Sequence, residues 1–145
     1  MPRLRAGPHA RVLSWRRRSP MVIGIGLDLV DTARVAHALE RHGDRFVGKL
    51  MDPGEAAALP ASPPHRALAL ALAVAGKEAA SKALGTGWSQ GVRWRDVVVS
   101  TSPGPSVRLD GRAAEVARAL GSSGRCRVRL EVRGSLAVGE LWLLS

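Results

Sequence analysis

At 145 residues the chain is long enough for one domain with a sizeable core, and an apolar content of 46% supports that core and excludes global disorder. One cysteine, Cys126, and four scattered histidines exclude an internal disulfide and a Cys/His zinc cluster and suit a reducing, cytoplasmic setting, while no stretch approaches the ~18 apolar residues of a membrane span. The formal net charge of +10 is uneven, because six arginines in the acid-free residues 1–20 supply more than half of it. Residues 1–20 read as a basic, disordered N-terminal extension, with organellar targeting or a nucleic-acid tail as the other readings, and residues 21–145 as the domain.

In chain order, MVIGIGLDLV (21–30) is short, apolar and β-branched, and predicts a buried strand. DTARVAHALERHG (31–43) predicts an amphipathic helix capped by Asp31 or Thr32 and stopped by Gly43. DPGEAAAL (52–59) carries Asp at the cap, Pro at the first helical position and Glu three after Asp, the capping-box start of a short helix. SPP at 62–64 reads as a chain break.

RALALALAVAGKEAASKAL (66–84) is read as a helix on its length and its lack of β-branched residues before Val74. Being apolar all round as far as Gly76, its first half is expected to be buried. DVVVS (96–100) and SVRLDG (106–111) predict strands around a Pro/Gly turn, and RAAEVARALG (112–121) a helix. The last twenty residues alternate like two paired strands joined near Gly134-Ser135. The order βααα-ββ-α-ββ predicts an α+β fold, an antiparallel sheet packed with a long apolar helix.

Two phosphate-loop patterns each lack a required residue. In GIGLDL the third glycine of a dinucleotide fingerprint would fall at Leu29. In GDRFVGKL, Leu50 stands where a phosphate-binding loop needs Ser or Thr. A different constellation is more specific. Asp28 lies near the end of the first strand and Glu78 in the charged end of the long helix, and two carboxylates without Cys or His suit a hard cation such as Mg²⁺. Lys77 and Lys82 offer compact positive charges to phosphates, although Glu78 and Lys82 also have the spacing of an ordinary helical ion pair. The chain uses 19 Arg and only three Lys, two of them in this dozen residues, which favours a chemical need for lysine. Gly85, Thr86 and Gly87 then form a turn whose backbone can approach a ligand closely.

IGIGLDLVDTARV and GKEAASKALGTG together resemble the two signature blocks of the phosphopantetheinyl transferases, in particular the small holo-acyl-carrier-protein synthase type, and the likeness runs with gaps from Met21 to Ser145. The resemblance implies that phosphopantetheine moves from coenzyme A to a serine of an apo acyl carrier protein, releasing 3′,5′-ADP. It implies Mg²⁺ held by Asp28 and Glu78, with Lys77, Lys82 and the Gly85-Thr86-Gly87 turn on coenzyme A. Glu78, Lys82 and Asp28 become the catalytic set, and Arg34, Arg41 and Arg45 meet the acidic carrier. The serine proton is left to a metal-associated water or to Glu55. The resemblance further implies a homotrimer with coenzyme A between subunits, acting in fatty-acid or related lipid biosynthesis, and no membrane or nucleic-acid partner. The chain departs from the family pattern at Ala73-Val74 and at RLEV (129–132), which replace a basic-aromatic pair and a nucleotide-holding strand. An alternative is therefore a weak or silent relative serving as a carrier-binding or scaffold subunit.

Overall fold

The structure, a computed structural model, describes residues 18–145. Most of the 1–20 extension thus lies outside the described residues. The elements follow in the predicted order: β1 (Val22–Asp31), α1 (Thr32–Leu50), α2 (Pro53–Ala58), α3 (Pro63–Leu84), β2 (Val97–Ser100), β3 (Ser106–Leu109), α4 (Gly111–Ala119), β4 (Cys126–Arg133) and β5 (Leu136–Leu144). A single 3-10 turn, Trp94–Asp96, precedes β2. The α+β expectation holds, with two antiparallel sheets in place of one: a three-stranded sheet ordered β1-β5-β4 and a separate β2-β3 hairpin. Among the described residues no helix is long and apolar enough to cross a membrane.

Glycine and alanine set the spacing between the large sheet and α3. A Cβ built on Gly26 would fall 1.7 Å from the Ala79 carbonyl oxygen, on Gly24 2.1 Å from that of Ala83, and on Gly139 2.4 Å from that of Ala75. Ala75, Ala79 and Ala83 are four apart and make one stripe of the helix, so the strand backbones rest directly on it. This is what GIG does in the fold: it brings backbone to backbone.

The same contact overturns the expectation of a buried β1. Side chains alternate across the strand. Since Gly24, Gly26 and Asp28 face α3, Ile25, Leu27 and Leu29 must face away, and they are 61%, 54% and 57% exposed. Helix α3 differs in the same sense. Its first turns are exposed or half-buried, and its burial is densest from Leu70 to Leu84, where the charges lie. Small residues, more than large apolar ones, let that end enter the core.

Two boundaries differ from the sequence reading. Gly43 does leave helical geometry, with φ of 53° and ψ of −139°, but the chain re-enters a helix at once and continues to Leu50. Pro63 and Pro64 begin α3 behind Ser62, because a missing N–H is harmless in a first turn. Of the two candidate caps for α1, Asp31 takes the role, accepting from Ala33 N and Arg34 N. The Asp52/Glu55 capping box of α2 is formed as read.

Cys126 is a free, half-buried cysteine, and burial pushes its thiol up to about 11. At neutral pH almost no thiolate forms, so iodoacetamide should alkylate it on the order of 100-fold more slowly than an unhindered thiol of ordinary pKa. Intact mass against time measures this, and labelling as fast as that of glutathione would contradict the burial.

Candidate active site

Asp28 is the next residue after Gly26 on the α3-facing side of β1, and its register partner on β5 is Gly139, the glycine that touches Ala75. The carboxylate therefore arrives beside the turn of α3 that holds Glu78. Asp28 and Glu78 line one cleft of about 350 Å³ together with Asp31, Arg34, Val35, Ala38, Phe46 and Val74. The fold thus brings the two expected carboxylates together, with Arg34 beside them and an apolar wall behind.

Charge in the cleft is only partly compensated. Lys82 Nζ sits 2.7 Å from Asp28 Oδ1 and donates to the Leu27 carbonyl oxygen at 3.0 Å. Lys82 is about half exposed and Asp28 mostly buried, so the lysine holds the acid from the solvent side. The Glu78 carboxylate makes no ion pair among the described residues. Nor, among those residues, are three or more His, Cys, Asp or Glu grouped for a metal. The Asp28 and Glu78 carboxylates, lining one cleft, still fit Mg²⁺, which keeps several waters and completes its shell with substrate oxygens.

Lys77 is not where the sequence reading puts it. It is fully buried, 2.8 Å from Glu55 Oε1 and 2.9 Å from Oε2, and it also donates to the carbonyl oxygens of Trp94 (3.1 Å) and Val97. All three ammonium donors are engaged inside the protein, so Lys77 has none for a phosphate. Burial pushes the ammonium below the ordinary lysine range, and the Glu55 carboxylate opposes that shift. Glu55 is equally closed, accepting from Asp52 N at 3.0 Å and Val99 N at 2.8 Å as well as from Lys77. It is therefore no acceptor for a substrate proton.

Gly85 ends α3 in a left-handed conformation (φ 75°), Gly87 also has positive φ, and Gly87 N donates to the Ser81 carbonyl oxygen. Thr86 Oγ1 donates to the Gly87 carbonyl oxygen. At 1.5 Å of rise per residue this turn lies roughly 10 Å along α3 from Glu78, outside the carboxylate cleft.

Arg34, Arg41 and Arg45 are all exposed on α1, the first two before the Gly43 break and the third after it. Arg45 lines a second cleft with His42, Phe46 and Lys49. The sequence reading missed Lys49, because the helical continuation past Gly43 that presents it was not foreseen, and passed over His42 on the predicted helix itself. Glu131, on β4, lies between Arg129 (3.1 Å) and Arg133 (2.9 Å), and the Arg133 guanidinium holds its carboxyl below the usual range. The charge at RLEV is thus answered by two arginines.

Known proteins resemble this chain in sequence and in fold. Residues 24–131 match the family model of the 4′-phosphopantetheinyl transferase superfamily. The chain is 41% identical over 130 residues to a holo-[acyl-carrier-protein] synthase of Bradyrhizobium, covering 86% of this chain and 90% of that one. Among solved structures, a holo-ACP-synthase from Plasmodium yoelii superposes with a TM-score of 0.74 at 22% identity, over 88% of this chain and 98% of the other. A holo-(acyl-carrier-protein) synthase from Bacillus anthracis, solved in complex with CoA (3′,5′-ADP), does so with a TM-score of 0.65 at 25% identity, over 86% and 98%. With both signature blocks folded onto one cleft and the likeness extending over most of its length, the chain belongs to the 4′-phosphopantetheinyl transferase superfamily.

Proposed function

We propose that this chain transfers the 4′-phosphopantetheine group of coenzyme A to a serine of an apo acyl carrier protein. The observation that carries the reading is the meeting of Asp28 and Glu78, distant in sequence, on one cleft edged by Arg34 and Lys82. Asp28 and Glu78 would hold Mg²⁺, which when bound neutralises pyrophosphate oxygens as the phosphoanhydride opens. Lys82, half exposed and held by Asp28 and the Leu27 carbonyl oxygen, has the reach to exchange Asp28 for a phosphate oxygen. The apolar wall of Val35, Ala38, Phe46 and Val74 would exclude water from the pantetheine side, and the Gly85-Thr86-Gly87 turn would meet the nucleotide end. Transfer forms a bond from the serine oxygen to phosphorus and breaks the bond to the departing 3′,5′-ADP. With Glu55 sealed, Glu78 is the carboxylate of the cleft able to receive the serine proton through a water. Arg34, Arg41 and Arg45, with His42 and Lys49, form the basic surface for an acidic carrier.

The test is intact-mass analysis of a panel of apo carrier proteins incubated with the protein, coenzyme A and Mg²⁺. The reading requires one phosphopantetheine gained by at least one carrier and none without coenzyme A. Carriers that bind but never gain mass would leave the scaffold alternative instead.

We further propose a homotrimer in the cytoplasm with coenzyme A between subunits; what supports self-association is the apolar outward face of the three-stranded sheet. Ile25, Leu27 and Leu29 are each more than half exposed there, and Trp142 and Val138 continue the patch on β5. Leu27 pairs in register with Glu140, so Leu27→Arg can form a cross-strand ion pair within one chain while spoiling an apolar interface. Light scattering should give a multiple of the chain mass for wild type and a shift of about ten-fold or more toward monomer for Leu27→Arg, with a similar melting temperature. An unchanged mass would place the interface elsewhere.

A further inference from the structure

We propose that the buried Lys77–Glu55 pair is a positioning device for Glu78, acting through α3 without contact to substrate; this rests on the reading of Asp28 and Glu78 as the pair that holds a divalent cation. Helix α3 is gripped on two opposite sides. On one, the Ala75/Ala79/Ala83 stripe bears on the glycines of β1 and β5. Lys77 lies about 200° around the helix from Ala75, so it points away from that stripe. There its ammonium meets Glu55 from α2 and the carbonyl oxygens of Trp94 and Val97 at the entry to β2. Glu55 is itself fixed by Asp52 N and Val99 N.

Glu78 follows directly, about 100° further round the helix, between the two grips. With a carboxylate roughly 6 Å from the helix axis, a 20° rotation of α3 would move it by about 2 Å, enough to break shared coordination with Asp28. The sheet contacts are backbone against small side chains and resist approach more than rotation. The ion pair, with its directional bonds on three elements, resists rotation. A buried pair is also a poor source of stability, since apolar residues of similar volume often serve as well or better. Orientation is what this pair supplies that such residues would not.

The experiment compares wild type, Asp28→Asn and the double variant Lys77→Met/Glu55→Gln in three measurements: melting temperature, Mn²⁺ binding by electron paramagnetic resonance with coenzyme A present, and kcat and KM for transfer. The double variant should stay folded, bind Mn²⁺ about ten-fold or more weakly, and lose kcat by about 10–100-fold with KM for coenzyme A within about two-fold. Should it not fold, Lys77→Gln/Glu55→Gln keeps a donor facing an acceptor and carries the same measurements. If the double variant melts lower but binds Mn²⁺ as wild type does, while Asp28→Asn does not bind it, the pair is only structural and the proposal is overturned. If wild type binds no Mn²⁺, or Asp28→Asn binds it equally well, the cation-pair reading fails and takes this proposal with it.

Discussion

Asp28→Asn and Glu78→Gln should each lower carrier modification by about 100-fold or more, and the double variant should be scarcely worse than either single, because groups that act as a unit are not additive. Folded protein should be little affected. The Asp28–Lys82 pair is open to solvent on the lysine side, where such pairs contribute only about 0–1 kcal/mol, and Glu78 has no ion-pair partner among the described residues. Without a cation the two acids in one cleft also repel each other, so neutralising either can raise the melting temperature slightly. A purely structural Asp28 would give a different pattern, with stability lost in Asp28→Asn and nothing changed in Glu78→Gln. Rates of mass gain and melting curves, each with and without Mg²⁺, separate the two. If both single variants modify carrier at the wild-type rate, these carboxylates are not the catalytic pair.

Gly26→Ala should be among the most damaging single substitutions in the chain, although it adds one methyl group. That methyl would lie 1.7 Å from the Ala79 carbonyl oxygen and 2.7 Å from its carbon, both backbone atoms that no rotamer change can move aside. Strand β1 must then lift from α3, opening a backbone-to-backbone contact of the core, and a loss of about 3 kcal/mol or more follows. Transfer should fall even in whatever fraction folds, because Asp28 is carried away from Glu78. Gly48→Ala is the control: a Cβ there meets nothing within 4 Å, and in a helix the change should gain about 0.5–1 kcal/mol. Urea unfolding of the two variants beside wild type measures both. Equal midpoints for Gly26→Ala and wild type would mean that β1 does not rest on α3 as described.

The chain's local signals fixed a good deal by themselves. Asp31 before Thr32, the Asp52-Pro53-Gly54-Glu55 box and the left-handed Gly85 are short-range features whose hydrogen bonds close within a few residues, so element order and caps follow from the sequence. Asp28, Glu78 and Lys82 were legible as a group because a hard-cation and phosphate site demands those side chains whatever the fold. The orientation of β1 was not legible. A run such as VIGIGLDLV looks buried on both faces, and only the approach of α3 to Gly24 and Gly26 decides that Ile25, Leu27 and Leu29 turn outward. Lys77 and Lys82 are equivalent in the sequence, both lysines on the last turns of one helix. Helical rotation puts Lys82 beside Asp28 at the surface and sends Lys77 toward Glu55, whose partnership depends on the packing of α2 and β2 against α3. A charge can be buried only where a distant chain segment answers it, and that segment is brought there by tertiary structure alone.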